Sequence, residues 1–509
     1  MAVDPQGDAV SSLQQLVQTS ELLRTLWQTE GLPDLALVGG AVRDRMLARS
    51  HPDFDLCVAG DPEAVARRLQ HRFGGSWYVL DPDFGVYRCT LPPDRRADLP
   101  EPTRLPGPPI GDSEARVPAA SDEGAAGGDQ AARSRPTTVD LAKRQGDTWQ
   151  ADLERRDLTI NAMAVLLRDR GQPVTRIGLL DPLGGQADLK RRTIRAVSRK
   201  GLEDDPLRLL RIFRFAATLS FHVEPQTRQW AAELAGRISQ AASERIRDEL
   251  CHLLSVPRCA RHVRELAEAG LLEVILPELF APREPPPLAR SGDLALRVEA
   301  LRHLEDRIAD LERWAPSHAP FLAPSLASGP IAGRGRKALA ALGILLGGPE
   351  RARAQQVGRR LRLATSEVRW LVALGRGRQR FDELWMSGAS GAGLFRLFRD
   401  AQDAAVAAAL SGLAESQVTE DAARRVDERR RGDPAEAARL VLSEARNPTV
   451  TAALPPLVRG NELMDALGLE PGPQVAALLE LIAEARADGI VATGEQAIAL
   501  GRGYLAGSW

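Results

Sequence analysis

Apolar and polar positions change over in short blocks through roughly the first two hundred residues, and beyond about Val197 they repeat with a helical period almost without interruption. The apolar run 35–38 ends at Gly39-Gly40 and passes into an amphipathic stretch over 41–49, which predicts a strand, a tight turn and a helix. In the run 53–58, Asp53 and Asp55 fall on one face of a strand, while Phe54, Leu56 and Val58 take the other. Further strands are expected to end near Thr90 and to begin near Thr137. Alternation followed by unbroken helical periodicity predicts an α/β head followed by an all-α body. The stretch 91–136 interrupts the head with nine Pro and five Gly in 46 residues and no aromatic residue. Such a segment buries too little apolar surface to order itself and reads as a disordered surface insertion. Two more Pro/Gly-rich breaks, at 315–335 and near 448–456, divide the helical part.

At 509 residues the chain is long enough for several domains. Its 67 basic and 68 acidic residues cancel, so net charge points to no partner, but their distribution is uneven. Residues 331–380 hold 12 Lys or Arg against Glu350 and Glu367. This suits a phosphate backbone and suits equally an ordinary solvated helix surface. Cys57, Cys89, Cys251 and Cys259 lack paired or zinc-type spacing and read as buried thiols in a reducing compartment. With neither a leader-like N-terminus nor an apolar run of membrane-spanning length, the expectation is a soluble, cytoplasmic protein without a membrane partner.

The side-by-side carboxylates of Asp53 and Asp55 repel unless a cation lies between them, and the fitting cation is Mg²⁺, a hard ion that takes oxygen ligands. Gly39 and Gly40 allow backbone N–H groups to come close to an anion at a helix start, with Arg43 in the first turn. Asp140, on the polar face of the strand expected over 137–142, is either a third carboxylate of that cluster or a capping or pairing residue. Arg155, Arg156, Asp157, Thr159 and Asn161 crowd the start of what reads as an apolar helix. They suit a phosphate and a ribose hydroxyl, or a plain capping and ion-pair arrangement. Asp205 is expected to cap a helix with Pro206 at its first position. Arg208, Arg211 and Arg214 then recur every three residues, opposite Leu207, Leu210, Phe213 and Phe215. Asp205 and Arg208 either offer a hydrogen-bonding edge to a nucleobase or form a local ion pair.

In order along the chain stand Gly-Gly-x-Val-Arg-Asp at 39–44, Asp-x-Asp at 53–55, and Arg-Arg-Asp-x-Thr-x-Asn-Ala at 155–162. Asp-Pro-Leu-Gly-Gly-Gln-Ala-Asp-Leu at 181–189, Asp-Asp-Pro-Leu-Arg at 204–208 and Glu-Arg-Ile-Arg-Asp-Glu-Leu at 244–250 follow. This series resembles the class II tRNA nucleotidyltransferases and bacterial poly(A) polymerases, a branch of the polymerase-β-like superfamily. The resemblance is strong over residues 30–280 and weaker in the tail. It implies an α+β nucleotidyltransferase head at 31–196 after an N-terminal helical extension at 1–30. It further implies an all-α neck at 197–282 carrying the base-template helix, a tRNA-binding body at 283–445 and a tail at 446–509. By that resemblance Asp53 and Asp55 hold two Mg²⁺ ions, with Asp140 as a further catalytic carboxylate. Gly39, Gly40 and Arg43 would meet the triphosphate, with Arg156 and Asp157 around the ribose. Asp205 and Arg208 would select C and A, supported by Arg211 and Arg214. The partners implied are CTP, ATP and the acceptor and TΨC arms of tRNA.

Three departures refine the expectation. None of the seven histidines is followed by Asp, so a His-Asp phosphohydrolase body is not supported. Where poly(A) polymerases of this branch carry a basic run, this chain reads Phe-Gly-Val-Tyr-Arg at 84–88, which argues against poly(A) synthesis. Enzymes that build the whole CCA end place a flexible loop of one or two dozen residues between the positions of Asp140 and Arg155, and here only 141–154 separate them. The expectation is therefore CCA addition, with CC addition beside a separate A-adding enzyme as the alternative.

Overall fold

The computed structural model describes residues 5–49, 53–82, 85–92, 136–174, 176–280, 294–320, 335–423, 432–449 and 455–506. Residues 93–135 of the insertion expected over 91–136, and much of the breaks near 315–335 and 448–456, lie outside them. The chain divides into two compact units, Met1–Arg208 with Leu219–Trp230, and Leu209–Thr218 with Ala231–Trp509. The expected division at 196/197 thus falls inside the first unit, whose last helical residues belong with the sheet.

The first unit is built on a mixed eight-stranded sheet. Its strands are β1 (Asp34–Val38), β2 (Asp53–Ala59), β3 (Ser76–Asp81), β4 (Val86–Leu91), β5 (Thr137–Lys143), β6 (Ala164–Asp169), β7 (Gln172–Pro173) and β8 (Leu179–Leu180). They lie in the order β3-β4-β5-β2-β1-β6-β7, with β8 on β6. Burial along β2 follows its sequence: Phe54, Leu56 and Val58 are buried, whereas Asp53 and Asp55 are only partly covered. The helix Pro62–Phe73 covers the apolar face of the outer strands. Asp61 caps its start, Pro62 sits where a missing N–H costs nothing, and Gly74 ends it with φ +77°. From this helix Gln70 accepts the indole N–H of Trp77 at 3.1 Å, and Glu63 accepts the Tyr87 hydroxyl at 3.5 Å.

One expectation is corrected. The apolar residues after Asn161 form β6, not a helix, preceded by a single 3₁₀ turn at Thr159–Asn161. β6 pairs with β1, β7 and β8 and is apolar on both faces, so it lacks the two-residue alternation that marks a half-exposed strand.

The second unit is helical throughout its described residues. Phe381, Leu384, Trp385, Leu397, Leu413 and Val441 centre one of its cores. A separate cluster around Leu463, Leu478, Ile482 and Leu500 holds the C-terminal helices together. Among the described residues no helix is long and apolar enough to cross a membrane. All four cysteines are buried, and none forms a disulfide. Burial pushes the Cys57 and Cys89 thiols up to about 12, which leaves them inert at neutral pH.

Candidate active site

The first two motifs meet at the end of β1. Gly39 has φ +66° and ψ −131°, a conformation that side chains disfavour, and it opens the helix Gly40–Met46. A Cβ placed on Gly39 would lie 3.3 Å from Asp55 Oδ2 and 3.4 Å from Arg156 Nη1. The glycine therefore turns the chain and leaves room where a carboxylate and a guanidinium converge. Gly39→Ala should cost about 1–3 kcal/mol of stability, the usual range for backbone held in such a region. Chemical denaturation measures it, and a loss below about 0.5 kcal/mol would mean that the turn relaxes freely.

Register assembles the next part of the site. β2 and β5 are parallel, with Asp55 opposite Asp140 and Asp53 opposite Thr138. β4 runs antiparallel to β5, with Arg88 opposite Asp140. Arg88 grips Asp140 with both arms of its fork, Nε to Oδ1 and Nη2 to Oδ2, each at 2.7 Å. Asp140 and Tyr78 together raise the Arg88 pKa still further, so its charge is permanent. Asp140 thus stands in the carboxylate row as expected, but as an ion-pair partner. Among the described residues no group of three or more His, Cys, Asp and Glu side chains is placed to hold a metal. A cation in the row would rest on the hard oxygens of Asp53 and Asp55.

Arg43 is held within the fold. Its side chain is buried, bonded to both oxygens of Asp44 at 2.8 Å and to Asn161 Oδ1 at 2.7 Å. Asn161 in turn donates to Asp157 Oδ1 at 3.1 Å. Arg43 thus braces the glycine turn against the segment that follows Arg156. Behind that segment, Asp188 accepts Thr159 Oγ1 at 2.6 Å and Arg195 Nε at 2.9 Å. A side chain at Gly185 would collide with the Thr159 carbonyl, its Cβ only 2.2 Å away. The motif at 181–189 is thereby explained as a support for the motif at 155–162.

Arg156 is aimed by a residue that the sequence reading did not single out. Asp152 is 6 % exposed and accepts Arg156 Nε and Nη2 at 3.3 and 3.2 Å from one turn away. It also accepts the backbone N–H of Gln145 at 2.8 Å. The four-residue spacing to Arg156 is the signal that could have found it. Gln145 belongs to the short 141–154 connection, and Arg144 pins that connection further. Its side chain donates to the carbonyls of Gly146 and Asp147 and stands 5.1 Å over the Trp149 ring.

Asp205 receives the N–H of Leu207 at 3.2 Å, as expected of a capping residue. Arg208 Nε lies 3.9 Å from Asp205 Oδ2, and its Nη1 donates to the Arg156 carbonyl at 3.3 Å. The acceptor and donor pair therefore sits beside Arg156 within the first unit. Arg211 and Arg214 follow on the same helix, Leu207–Leu219, and belong to the second unit. Both bond to buried Glu249, Arg211 Nη1 at 3.0 Å and Arg214 Nε at 2.7 Å. Glu249 lies in the motif at 244–250, whose role the sequence left unassigned.

The basic stretch 331–380 is partly neutralised from within. Arg336 pairs with Asp403, Arg360 with Glu278, Arg378 with Asp382 and Glu415, and Arg380 with Glu383 and Asp400. Arg351, Arg359, Arg362, Arg369 and Arg376 are exposed. Arg369 and Arg376, seven residues apart on the helix Thr365–Met386, project from one face.

Comparison with known proteins gives concordant results. The family pattern described as "Poly A polymerase head domain" matches residues 35–99 and 117–195. "Probable RNA and SrmB-binding site of polymerase A" matches residues 220–281. An A-adding tRNA nucleotidyltransferase of Deinococcus radiodurans is 34 % identical over 482 residues, covering 91 % of this chain and 94 % of that protein. A CC-adding tRNA nucleotidyltransferase of Geobacter sulfurreducens is 31 % identical over 463 residues, covering 90 % and 89 %. The fold is similar to that of a Thermotoga maritima CCA-adding enzyme solved with tRNA, with a TM-score of 0.60 at 19 % identity over 99 % of this chain and 96 % of that one.

Proposed function

The chain belongs to the tRNA nucleotidyltransferase family, and on that premise we propose that it adds CCA to the 3′ end of tRNA, taking CTP and ATP as substrates. The observation that carries this reading is the convergence of Asp55, Gly39 and Arg156 beside the Asp205–Arg208 pair. In the reaction the RNA 3′-hydroxyl gives up its proton to solvent as its oxygen bonds to the α-phosphorus of the nucleotide, and the bond to the β-phosphate breaks to release pyrophosphate. Asp53 and Asp55 would hold Mg²⁺, which when bound supplies positive charge to the hydroxyl and to the leaving pyrophosphate. Arg156, aimed by Asp152, offers the triphosphate or ribose a planar fork of donors, and Asp157 stands beside it as an acceptor. Arg43 contributes by fixing the glycine turn through Asn161. Asp205 and Arg208 would present an acceptor and a donor to the base edge that C and A share. The exposed arginines of 351–376 suit the tRNA backbone. The setting is cytoplasmic.

A second reading, in which the chain adds only part of the CCA end beside a partner enzyme, is favoured by the tethered 141–154 connection. The A-adding and CC-adding names of the two long-range relatives point the same way. Three tRNA acceptors, lacking CCA, lacking CA and lacking only A, are incubated with CTP, ATP or both. Full CCA addition predicts that each is completed when both nucleotides are present. Extension of only the third acceptor, or arrest after two Cs, would replace it with the partial reading.

A further inference from the structure

The strand register that places Asp140 beside Asp55 continues across the sheet. Asp140 lies opposite Arg88, and Arg88 lies opposite Tyr78 on the edge strand β3. Paired residues of neighbouring strands share a face, so Asp55, Asp140, Arg88 and Tyr78 form one polar row across four strands. A second row runs beside it through Asp53, Thr138, Thr90 and Ser76. The helix Pro62–Phe73 packs on the opposite face, through Trp77 and Tyr87. The Tyr78 side chain stands on the carboxylate face, and the residue is 49 % exposed. At the usual strand spacing Tyr78 is about 14 Å from Asp55.

We propose that this face seats the unpaired 3′ nucleotides of the RNA upstream of the reacting end, with Tyr78 as the platform on which one base stacks. The proposal rests on the nucleotidyl-transfer reading, because it is that chemistry which sets an RNA 3′ end at Asp53 and Asp55. The two rows then start where the RNA end must lie and lead from it to an exposed aromatic ring. Aromatic side chains on an open sheet face are a recurrent way to hold single-stranded nucleic acid. Thr138, Thr90 and Ser76 offer hydroxyls suited to ribose and phosphate oxygens, and none carries a charge that would repel them. Arg88 lies midway, its charge balanced by Asp140. Its attachment to Asp140 makes the seat continuous with the carboxylates, so a base on Tyr78 would help to register the reacting hydroxyl.

The full-length protein is tested with an acceptor-stem RNA carrying 2-aminopurine at each unpaired 3′ position in turn, alongside Tyr78→Ala and Tyr78→Trp. Stacking predicts quenching at one upstream position, lost in Tyr78→Ala and kept in Tyr78→Trp. The KM for RNA should rise about tenfold or more in Tyr78→Ala, as loss of a stacked base implies, while the KM for the nucleotide stays unchanged. Unaltered melting of Tyr78→Ala, expected for a half-exposed residue, shows that the fold is retained. Incorporation of nucleotide without any Tyr78-dependent quenching or KM change would overturn this inference and leave the proposed function standing. Quenching that depends on Tyr78 without incorporation would do the reverse. A dimer that dissociates in Tyr78→Ala while RNA binding is unchanged would assign the edge strand to protein pairing and overturn the proposal.

Discussion

Asp55→Ala should abolish nucleotide incorporation to within about a thousandth of the parent rate while leaving the melting temperature nearly unchanged. Asp55 lies on the partly exposed face of β2, opposite Asp140 and next to the Gly39 turn. The hydrophobic side of the same strand holds the sheet together, so removing the carboxylate takes little from the core. The expected loss is catalytic. A bound divalent cation is worth several kcal/mol of charge stabilisation during phosphoryl chemistry, and each 1.36 kcal/mol is a factor of ten in rate. Single-turnover incorporation measures the effect, with thermal melting as the control. A variant that incorporates at a tenth of the parent rate or faster would mean that the cation is held elsewhere. A collapse in melting temperature would mean that Asp55 is structural.

The second large effect is on stability. Glu249 is buried and receives both Arg211 and Arg214, which stack in turn near the Phe215 ring. Glu249→Ala would leave two guanidinium groups facing each other without their shared anion, and breaking a buried pair in this way costs about 3–5 kcal/mol. Arg211 keeps some solvent, so a value at or just below the bottom of that range, about 2–3 kcal/mol, is expected after screening is allowed for. Urea denaturation checks it. Because Glu249 is the shared partner of Arg211 and Arg214, the variant should lose stability more than discrimination between nucleotides. A shift in the choice among C, A, G and U at unchanged stability would instead favour the template-supporting role that the family resemblance implied for the two arginines.

These two predictions also show where the sequence was legible. Asp53 and Asp55 were readable because strand alternation is local: two residues apart is one face, whatever surrounds the strand. The cap at Asp205 and the apolar positions Leu207, Leu210 and Phe213 were readable for the same reason, since a helix also encodes its faces within a few residues. What escaped depends on pairing at a distance. Arg88 meets Asp140 across 52 positions, and Arg214 meets Glu249 across 35. No periodicity reports which strand lies beside which, and only the placement of β5 between β2 and β4 turns a tyrosine, an arginine and two aspartates into one row. The internal pairing of the basic stretch was hidden for a related reason. Its charges were visible, but the acids that neutralise Arg336, Arg360, Arg378 and Arg380 come in part from Glu278, Asp400, Asp403 and Glu415, at or beyond the edges of any local window. Strand β6 was read as helix because burial on both faces erases alternation, leaving length and neighbours to decide.

The most direct test of the central claim is a balanced assay on purified protein with tRNA that lacks its CCA end, Mg²⁺, and labelled CTP and ATP. If the site at Asp53 and Asp55 performs nucleotidyl transfer, label enters the tRNA and one pyrophosphate appears for each nucleotide added. Removal of the divalent cation or Asp55→Ala stops both together. No label in any tRNA, with either nucleotide or both and with the cation present, would contradict the account.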